Sequence, residues 1–159
     1  MGSSAATGLA VAAGVLVVAT VIGLWWRRWD GRVRVIGPDT GGGEAQRDLI
    51  ARPELIALGV DPDVSATLLQ FSSTSCAPCR VARRVCAALA ATRDGVAHVE
   101  LDAESHLESV RSLGVWRTPT VLVLDSGSRI RYRVTGAPGS VALAEAVDAL
   151  LPADAAAAR

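Results

Sequence analysis

The sequence predicts an α/β domain joined to a single membrane-spanning helix, and three observations support this fold class. Apolar β-favouring runs alternate with stretches of helical spacing in the order β-α-β-α-β-β-α. A Cys-x-x-Cys motif stands where the first of these strands gives way to a helix. Near the N-terminus lies an uncharged apolar run, residues 8–26, that is long enough to cross a bilayer.

Composition limits the classes of partner. The chain has 159 residues, enough for one modest domain and a membrane segment. Arg plus Lys and Asp plus Glu balance at 16 each, so the charge gives no reason to expect a nucleic-acid partner. The three cysteines are too few for a disulfide-scaffolded secreted fold, and an odd number leaves one unpaired.

The apolar run 8–26 predicts a permanent transmembrane helix. Its 19 uncharged residues would span about 28 Å as a helix, roughly one hydrocarbon core. Trp25 and Trp26 at its end suit the membrane–water interface. A cleaved signal peptide is the alternative, but it would need a basic residue before the run and a small-x-small site after it. The sequence has neither, so it favours a single-pass protein of the cell membrane.

Arginines follow the apolar run, whereas no basic side chain precedes it; they are Arg27, Arg28, Arg32 and Arg34. The positive-inside rule therefore places the following domain on the cytoplasmic side. One short anchor gives this rule few charges to act on, so the outward-facing orientation is the alternative.

The chain between the anchor and the domain, residues 27–47, predicts a flexible linker because its centre is rich in Gly and lacks apolar side chains. The folded domain is expected over residues 48–151. It would open with a short strand and a helix that has Pro53 near its start. Pro152 ends the last helix, so the Ala-rich tail 152–159 is expected to fray.

Apolar patterning and turn residues predict the remaining elements. They are a buried strand at 66–71, a helix with apolar positions 81, 85, 88 and 89, a strand at 96–101, a helix at 104–113 closed by Gly114, two strands at 119–124 and 129–134 around a hairpin, and a last helix. Ser140 is expected to cap this last helix, which would run to Leu151. Its inward-facing side chains would be Val141, Leu143, Val147 and Leu150.

The Cys-x-x-Cys motif carries the chemistry. Cys76 would lie at a helix N-terminus, where unpaired N–H groups and the helix dipole stabilise a thiolate. Cys79 would lie one turn further on, close enough to form a disulfide. Pro78 fits between them because the first helical turn does not use the missing N–H. The motif therefore favours thiol–disulfide exchange.

Two structural interpretations of this cysteine pair compete with redox work: an inert disulfide and half of a zinc site. Zinc prefers four ligands, and the chain offers only Cys86, His98 and His106 besides the pair. Cys86 would lie about 10.5 Å beyond Cys79 along the helix, too far to bridge it. We interpret Cys86 as a small buried apolar side chain. A Cys-x-x-Cys module that binds Cu(I) is a further alternative, because soft thiolates suit that ion.

These features together resemble the thioredoxin family. The motif Gly-Val-Trp-Arg-Thr-Pro-Thr at 114–120 leads directly into a strand, as a cis-proline loop does in that family. The resemblance covers about residues 48–151. It implies a thioredoxin-like fold, a central mixed β-sheet flanked by helices. It also implies that Pro119 is preceded by a cis peptide bond and that its loop faces the cysteines.

The resemblance implies a role for each matching residue. Cys76 would be the attacking thiolate, and Cys79 would be the resolving thiol. Thr118 would offer its backbone to an extended substrate segment beside Pro119, and Trp116 would supply an apolar docking surface. The implied activity is that of a protein-disulfide reductase without a bound cofactor. Its partners would be a protein or small-molecule disulfide and an upstream thiol reductant such as thioredoxin reductase.

The sequence also departs from the family pattern. Ser75 stands where thioredoxins usually have Trp, and Gln70 stands where they usually have a buried Asp that takes a proton from the resolving thiol. Glu100 on the neighbouring strand is a candidate substitute for that Asp. If the domain faces outward, the alternative function is that of a cytochrome-c-maturation type thioredoxin, which is reduced through a membrane electron shuttle.

Overall fold

A computed structural model describes residues 3–29, 31–36 and 52–152. Two compact units make up the chain, Met1–Asp30 and Gly31–Arg159. The short strand predicted near residue 49 and most of the predicted tail lie outside the described residues. The predicted α/β class is confirmed in the second unit.

The first unit is one helix, α1 (Ser3–Trp29). Its segment Gly8–Trp25 has a mean hydropathy of 2.3, and none of it is buried. By length and composition this helix can cross a membrane, although a signal sequence near an N-terminus would pass the same test. Thr20 donates its hydroxyl hydrogen to the Leu16 carbonyl at 2.7 Å, so this polar side chain is satisfied within the helix.

Five strands of the described residues form one mixed sheet. They are β1 (Val33–Val35), β2 (Ala66–Ser72), β3 (Val96–Asp102), β4 (Thr120–Asp125) and β5 (Ile130–Thr135). Their order across the sheet is β1-β5-β4-β2-β3. Only β2 and β3 run parallel, and the other neighbours pair antiparallel. Strand β2 is therefore an interior strand, paired with β4 on one side and β3 on the other.

Helices cover both faces of this sheet. They are α2 (Arg52–Ala57), α3 (Ala77–Thr92), α4 (Leu107–Ser112) and α5 (Ser140–Asp148). Leu68 on β2 belongs to one core cluster, with Ala82 of α3 and Leu143 of α5. Its neighbour Leu69 points to the opposite face, into a second cluster with Leu55 of α2. Every residue of β2 is buried, because both of its faces are covered.

Strand β1 corrects the predicted linker 27–47. Val33 pairs with Val134, and Val35 pairs with Tyr132 on β5. The Ile36 N–H also donates to the Arg131 carbonyl at 2.8 Å. The linker prediction is therefore wrong for residues 33–35, because β-branched side chains there add an edge strand to the sheet. It is also wrong for residues 27–29, because α1 continues to Trp29.

Two predicted helix starts also need correction. Helix α4 begins at Leu107, three residues later than expected. The cause is Asp102, whose carboxylate accepts from the Glu104 N–H and the Ser105 hydroxyl and so holds a turn.

At the other helix, α5, the N-cap residue is Gly139 rather than Ser140, and no side chain caps it. The helix ends at Asp148 instead of continuing to Leu151. Val141 is 69% exposed rather than inward, whereas Leu143 and Val147 are fully buried as predicted.

Candidate active site

The two cysteines of the motif lie where β2 leads into α3. Cys76 is the N-cap residue of α3, with extended backbone angles of φ −82° and ψ 103°. Its Sγ atom accepts from the Cys79 N–H at 3.1 Å. Because the first N–H groups of a helix have no partner within it, this contact uses one of them to stabilise electron density on sulfur. Pro78 occupies the first turn, as the sequence predicts.

Cys76 and Cys79 form a disulfide, with their Cα atoms 5.3 Å apart. Cys76 is partly exposed, whereas Cys79 is 1% exposed. An incoming sulfur therefore meets Cys76 first. The pair can exchange two electrons with a second disulfide or dithiol.

The first turn of α3 rests on a buried amide, Gln70, which is fully enclosed. Its Nε2 donates to the Cys79 carbonyl at 3.2 Å and to Glu100 Oε1 at 3.1 Å. Its Oε1 lies 3.2 Å from His98 Nε2, which donates to it in this arrangement. The amide thus positions the turn that carries Cys79, and it does so without a group that titrates at neutral pH.

Glu100 is the carboxylate of this network. Its Oε1 also accepts from the Ser72 hydroxyl and from Arg83 Nη2, the latter at 2.8 Å, and its Oε2 accepts from Arg83 Nε. The bidentate Arg83 contact holds the pKa of Glu100 below its usual value. Burial raises this pKa, and the Ser72 hydrogen bond lowers it further, as Arg83 does. Glu100 is therefore an ionised carboxylate and a weak base in this state.

Two other titratable groups lie close by. Cys86 is fully buried, and burial, aided by the negative charge of Glu100, raises its pKa to about 12. It is thus an unreactive thiol that packs as a small apolar side chain, as predicted. Burial also lowers the pKa of His98, and the positive charge of Arg83 adds to this while Glu100 opposes it.

The loop before β4 has the predicted cis peptide bond, between Thr118 and Pro119. Ser73, three residues before Cys76, has its hydroxyl 3.3 Å from that of Thr118, so this loop lies against the loop that carries Cys76. The Pro119 carbonyl accepts from the Gly136 N–H at 2.8 Å. The Thr118 N–H and carbonyl make no hydrogen bond to any residue that the structure describes, which leaves them available to a ligand.

Trp116 lies two residues before Thr118 and is 89% exposed. Indole rings are usually covered to a large extent in folded domains, so this exposure is unusual. The ring can take part in docking only if a partner covers it. Its predicted role in substrate binding stays a prediction.

A cleft of about 340 Å³ opens beside the disulfide, and both cysteines line it. Glu100 also lines this cleft, together with other charged and hydroxyl side chains. Among the described residues, no group of three or more His, Cys, Asp or Glu side chains is placed to hold a metal ion.

The sequence analysis found the cysteines, Gln70 and Glu100, but it missed Ser72 and the ion pair between Arg83 and Glu100. The parallel register of β2 and β3 pairs position 70 with position 100. Knowing this register would have shown that Glu100 lies near the end of β2, where Ser72 and Arg83 of α3 can reach it.

Comparison with known proteins identifies the class to which this fold and site belong. The thioredoxin family model matches residues 60–149, more than half of the chain. The chain therefore belongs to the thioredoxin family. A domain of this family with a bonded Cys76–Cys79 pair fits a thiol–disulfide oxidoreductase.

Solved thioredoxins are similar in fold. Thioredoxin NaTrxh from Nicotiana alata is 22% identical with a TM-score of 0.53, over 65% of this chain and 89% of that one. Thioredoxin from Fasciola hepatica is 24% identical with a TM-score of 0.52, over 62% of this chain and 93% of that one. A mutant thioredoxin from Halobacterium salinarum is 22% identical with a TM-score of 0.54, over 64% and 89%. No curated protein matches the chain.

Proposed function

We propose that this protein is a membrane-tethered disulfide reductase in which Cys76 attacks and Cys79 resolves. The observation that carries the proposal is the asymmetry of the pair. Cys76 is partly exposed and caps α3, whereas Cys79 is buried one turn further on. An exposed attacking sulfur beside a covered resolving sulfur is the arrangement that two-step disulfide exchange needs.

The reaction starts from the reduced pair. The Cys76 thiolate attacks one sulfur of the substrate disulfide, that S–S bond breaks, and the other substrate sulfur leaves as a thiolate that takes up a proton. The Cys79 thiolate then attacks Cys76 Sγ in the mixed disulfide. This step releases the second substrate thiol and forms the Cys76–Cys79 disulfide. Two electrons pass to the substrate, and an upstream thiol reductant such as thioredoxin reductase restores the pair.

The surrounding residues support this sequence of steps. The N-terminus of α3 stabilises the Cys76 thiolate, and Gln70 holds the Cys79 turn through its carbonyl. A substrate segment in extended conformation can hydrogen-bond the Thr118 backbone beside cis-Pro119. The exposed indole of Trp116 would contact apolar side chains of the same segment.

The membrane anchor in this proposal is residues 8–26, within α1. Arginines after the span favour a cytoplasmic domain, so we expect the substrate to meet the domain on that side of the membrane. A shared membrane raises the effective concentration of membrane-bound substrates without any additional contact.

The activity is tested by reduction of insulin disulfides with dithiothreitol as electron source, using the full chain in detergent micelles. We expect Cys76→Ser to abolish turnover, because no attacking sulfur remains. Cys86→Ala is the matched control, since it removes the buried cysteine outside the motif, and it should retain activity. Undiminished turnover by Cys76→Ser would refute the proposed mechanism.

The orientation and the direction of electron flow are tested together in cells. We expect a membrane-impermeant maleimide to label Cys76 only after lysis. Acid-quenched cells should contain the pair in its reduced form. Labelling of Cys76 in intact cells would mean that the domain faces outward. A pair that is protected there as a disulfide would indicate an outward-facing oxidant.

A further inference from the structure

The cleft beside the disulfide has an unusual lining for its size. Three consecutive short hydroxyl side chains, Ser72, Ser73 and Thr74, form part of it. No bulky side chain from this segment fills the space next to Cys76. The volume of about 340 Å³ lies at the lower end of the range for small-molecule sites. The cleft is therefore large enough for a small molecule at the reactive sulfur.

Charged side chains of both signs line this cleft, and the two signs come from different elements. Arg80 and Arg83 come from α3, where residues three apart are neighbours on the helix surface. Glu100 and Asp102 come from β3, where residues two apart share a face. The register pairs Ser72 with Asp102, which places this carboxylate beside the strand end that leads to Cys76.

Only one charge of each sign is open to a ligand. Arg83 and Glu100 form a bidentate ion pair and neutralise each other. Arg80 is exposed and has no hydrogen bond or ion pair within the part of the chain that the structure describes. Asp102 accepts hydrogen bonds within its own turn, from the Glu104 N–H and from Ser105, and it interacts electrostatically with the nearby His106. No residue in the part of the chain that the structure describes forms an ion pair with it. The cleft thus offers one guanidinium and one carboxylate.

We infer that this cleft binds the disulfide of a small zwitterionic thiol, with Arg80 on its carboxylate and Asp102 on its ammonium group. A ligand of one sign would gain one of these contacts and meet a like charge at the other. A zwitterion matches both. The hydroxyl groups of Ser73 and Thr74 can hydrogen-bond either end of it.

This inference rests on the proposed function, because the chemistry is the same exchange. The reduced Cys76 attacks one sulfur of the small disulfide, and one thiol leaves with a proton. Cys79 then attacks Cys76 Sγ and releases the second thiol. One small disulfide is reduced to two thiols, and the cysteine pair is oxidised.

Three low-molecular-weight disulfides test the contact with Arg80 and the contact with Asp102 separately. Cystine has both groups, cystamine lacks the carboxylates, and 3,3′-dithiodipropionate lacks the ammonium groups. The reduced full chain in detergent micelles is mixed with each in excess, and the loss of protein thiols is followed by acid quenching and maleimide mass shift. Each rate is divided by that of dithiothreitol with the same disulfide, which removes differences in intrinsic reactivity.

Two variants and one control make the test specific. Arg80→Gln should slow cystine and dithiodipropionate about two- to fivefold, the range expected for one exposed charge pair. It should not slow cystamine, for which the variant removes a like charge. Asp102→Asn removes the charge but keeps one of the two oxygens that accept hydrogen bonds in the turn. It should slow cystine and cystamine by a similar factor and should not slow dithiodipropionate, for which it removes a like charge. Arg84→Gln removes an exposed arginine of the same helix that does not line the cleft, and it should change none of the rates.

Equal effects of Arg80→Gln on all three disulfides would overturn the inference, because they would indicate a change in the Cys76 thiolate instead of a ligand contact. Unchanged rates in both variants would also overturn it. Insulin reduction, measured with the same preparations, shows whether a negative result concerns only this inference or also the proposed function. If insulin is reduced and the charge pattern is absent, only the inference fails. If neither insulin nor the small disulfides are reduced, both fail.

Discussion

Replacing Gln70 with Met should destabilise the domain strongly although the two side chains have similar length. The amide makes three hydrogen bonds, to the Cys79 carbonyl, Glu100 Oε1 and His98 Nε2, and methionine makes none of them. In this variant Glu100 still accepts hydrogen bonds from Ser72 and Arg83, whereas the Cys79 carbonyl and His98 lose their hydrogen bonds to the amide. At about 0.5–1.5 kcal/mol for each buried bond, the three bonds amount to about 1.5–4.5 kcal/mol, and we expect the free energy of unfolding to fall by about 2–3 kcal/mol, near the middle of this range. For a domain of this size that corresponds to a Tm lower by about 10–20 °C.

Urea titration of the full chain in micelles, followed by far-UV circular dichroism, measures this change. The matched control is Arg84→Met, which introduces the same side chain at an exposed position of α3 and should change stability by less than about 0.5 kcal/mol. If Gln70→Met were as mild as this control, the hydrogen-bonded amide would not be what holds the first turn of α3.

Three further predictions concern the ion pair, the third cysteine and the edge strand. The depressed pKa of Glu100 stabilises the fold above its ordinary value of 4.5, and this contribution is lost as pH falls through the folded-state pKa. Arg83→Ala should therefore weaken the loss of stability on acidification, measured by urea titrations from pH 6 to pH 3. Cys86, with a pKa of about 12, should resist maleimide at pH 8 in the native protein and react after unfolding, as read by mass spectrometry. Ile36→Pro removes the N–H that donates to the Arg131 carbonyl and should cost about 1–3 kcal/mol in the same urea titration.

Each of these predictions has an outcome that contradicts it. An unchanged pH profile in Arg83→Ala would mean that the guanidinium does not control the Glu100 carboxylate. Rapid native labelling of Cys86 would mean that the core around it opens readily. If Ile36→Pro left the stability unchanged, β1 would not contribute to the sheet, and the flexible linker that the sequence predicts there would be the better description.

The sequence predicted the parts of the fold that local patterns determine. The run Ala66–Ser72 is mostly apolar or β-favouring, with Gln70 and Ser72 as its polar exceptions, and a strand with both faces covered is typically rich in such residues. Helix α3 was predicted from its apolar spacing and from Pro78 in its first turn, and the helix is confirmed. The predicted apolar positions 81, 85 and 88 are wrong as its buried face, which consists of Cys79, Ala82, Cys86 and Leu89, and Val81 is 48% exposed. The cis bond before Pro119 came from the family resemblance, since an X–Pro dipeptide alone favours trans.

Features that depend on tertiary pairing escaped the sequence analysis. Strand β1 has three residues, with Arg34 at its centre and Arg32 directly before it, so its apolar signal is too short to identify it. It exists because β5 offers an open edge. The late start of α4 was missed for a different reason, because one side chain, Asp102, competes locally with the helix for backbone N–H groups.

The network at Cys79 explains how the departure from the thioredoxin pattern at position 70 relates to the Glu100 carboxylate. A carboxylate at position 70 would face Glu100, its register partner on β3, and two like charges there would repel each other. An amide at position 70 instead donates to Glu100 and to the Cys79 carbonyl at once. The negative charge is thereby placed on the neighbouring strand, where Arg83 pairs with it and the cleft exposes it to solvent. The two residues are thus complementary beside the disulfide: the amide of Gln70 avoids a like-charge contact with Glu100, and Glu100 accepts one of its hydrogen bonds.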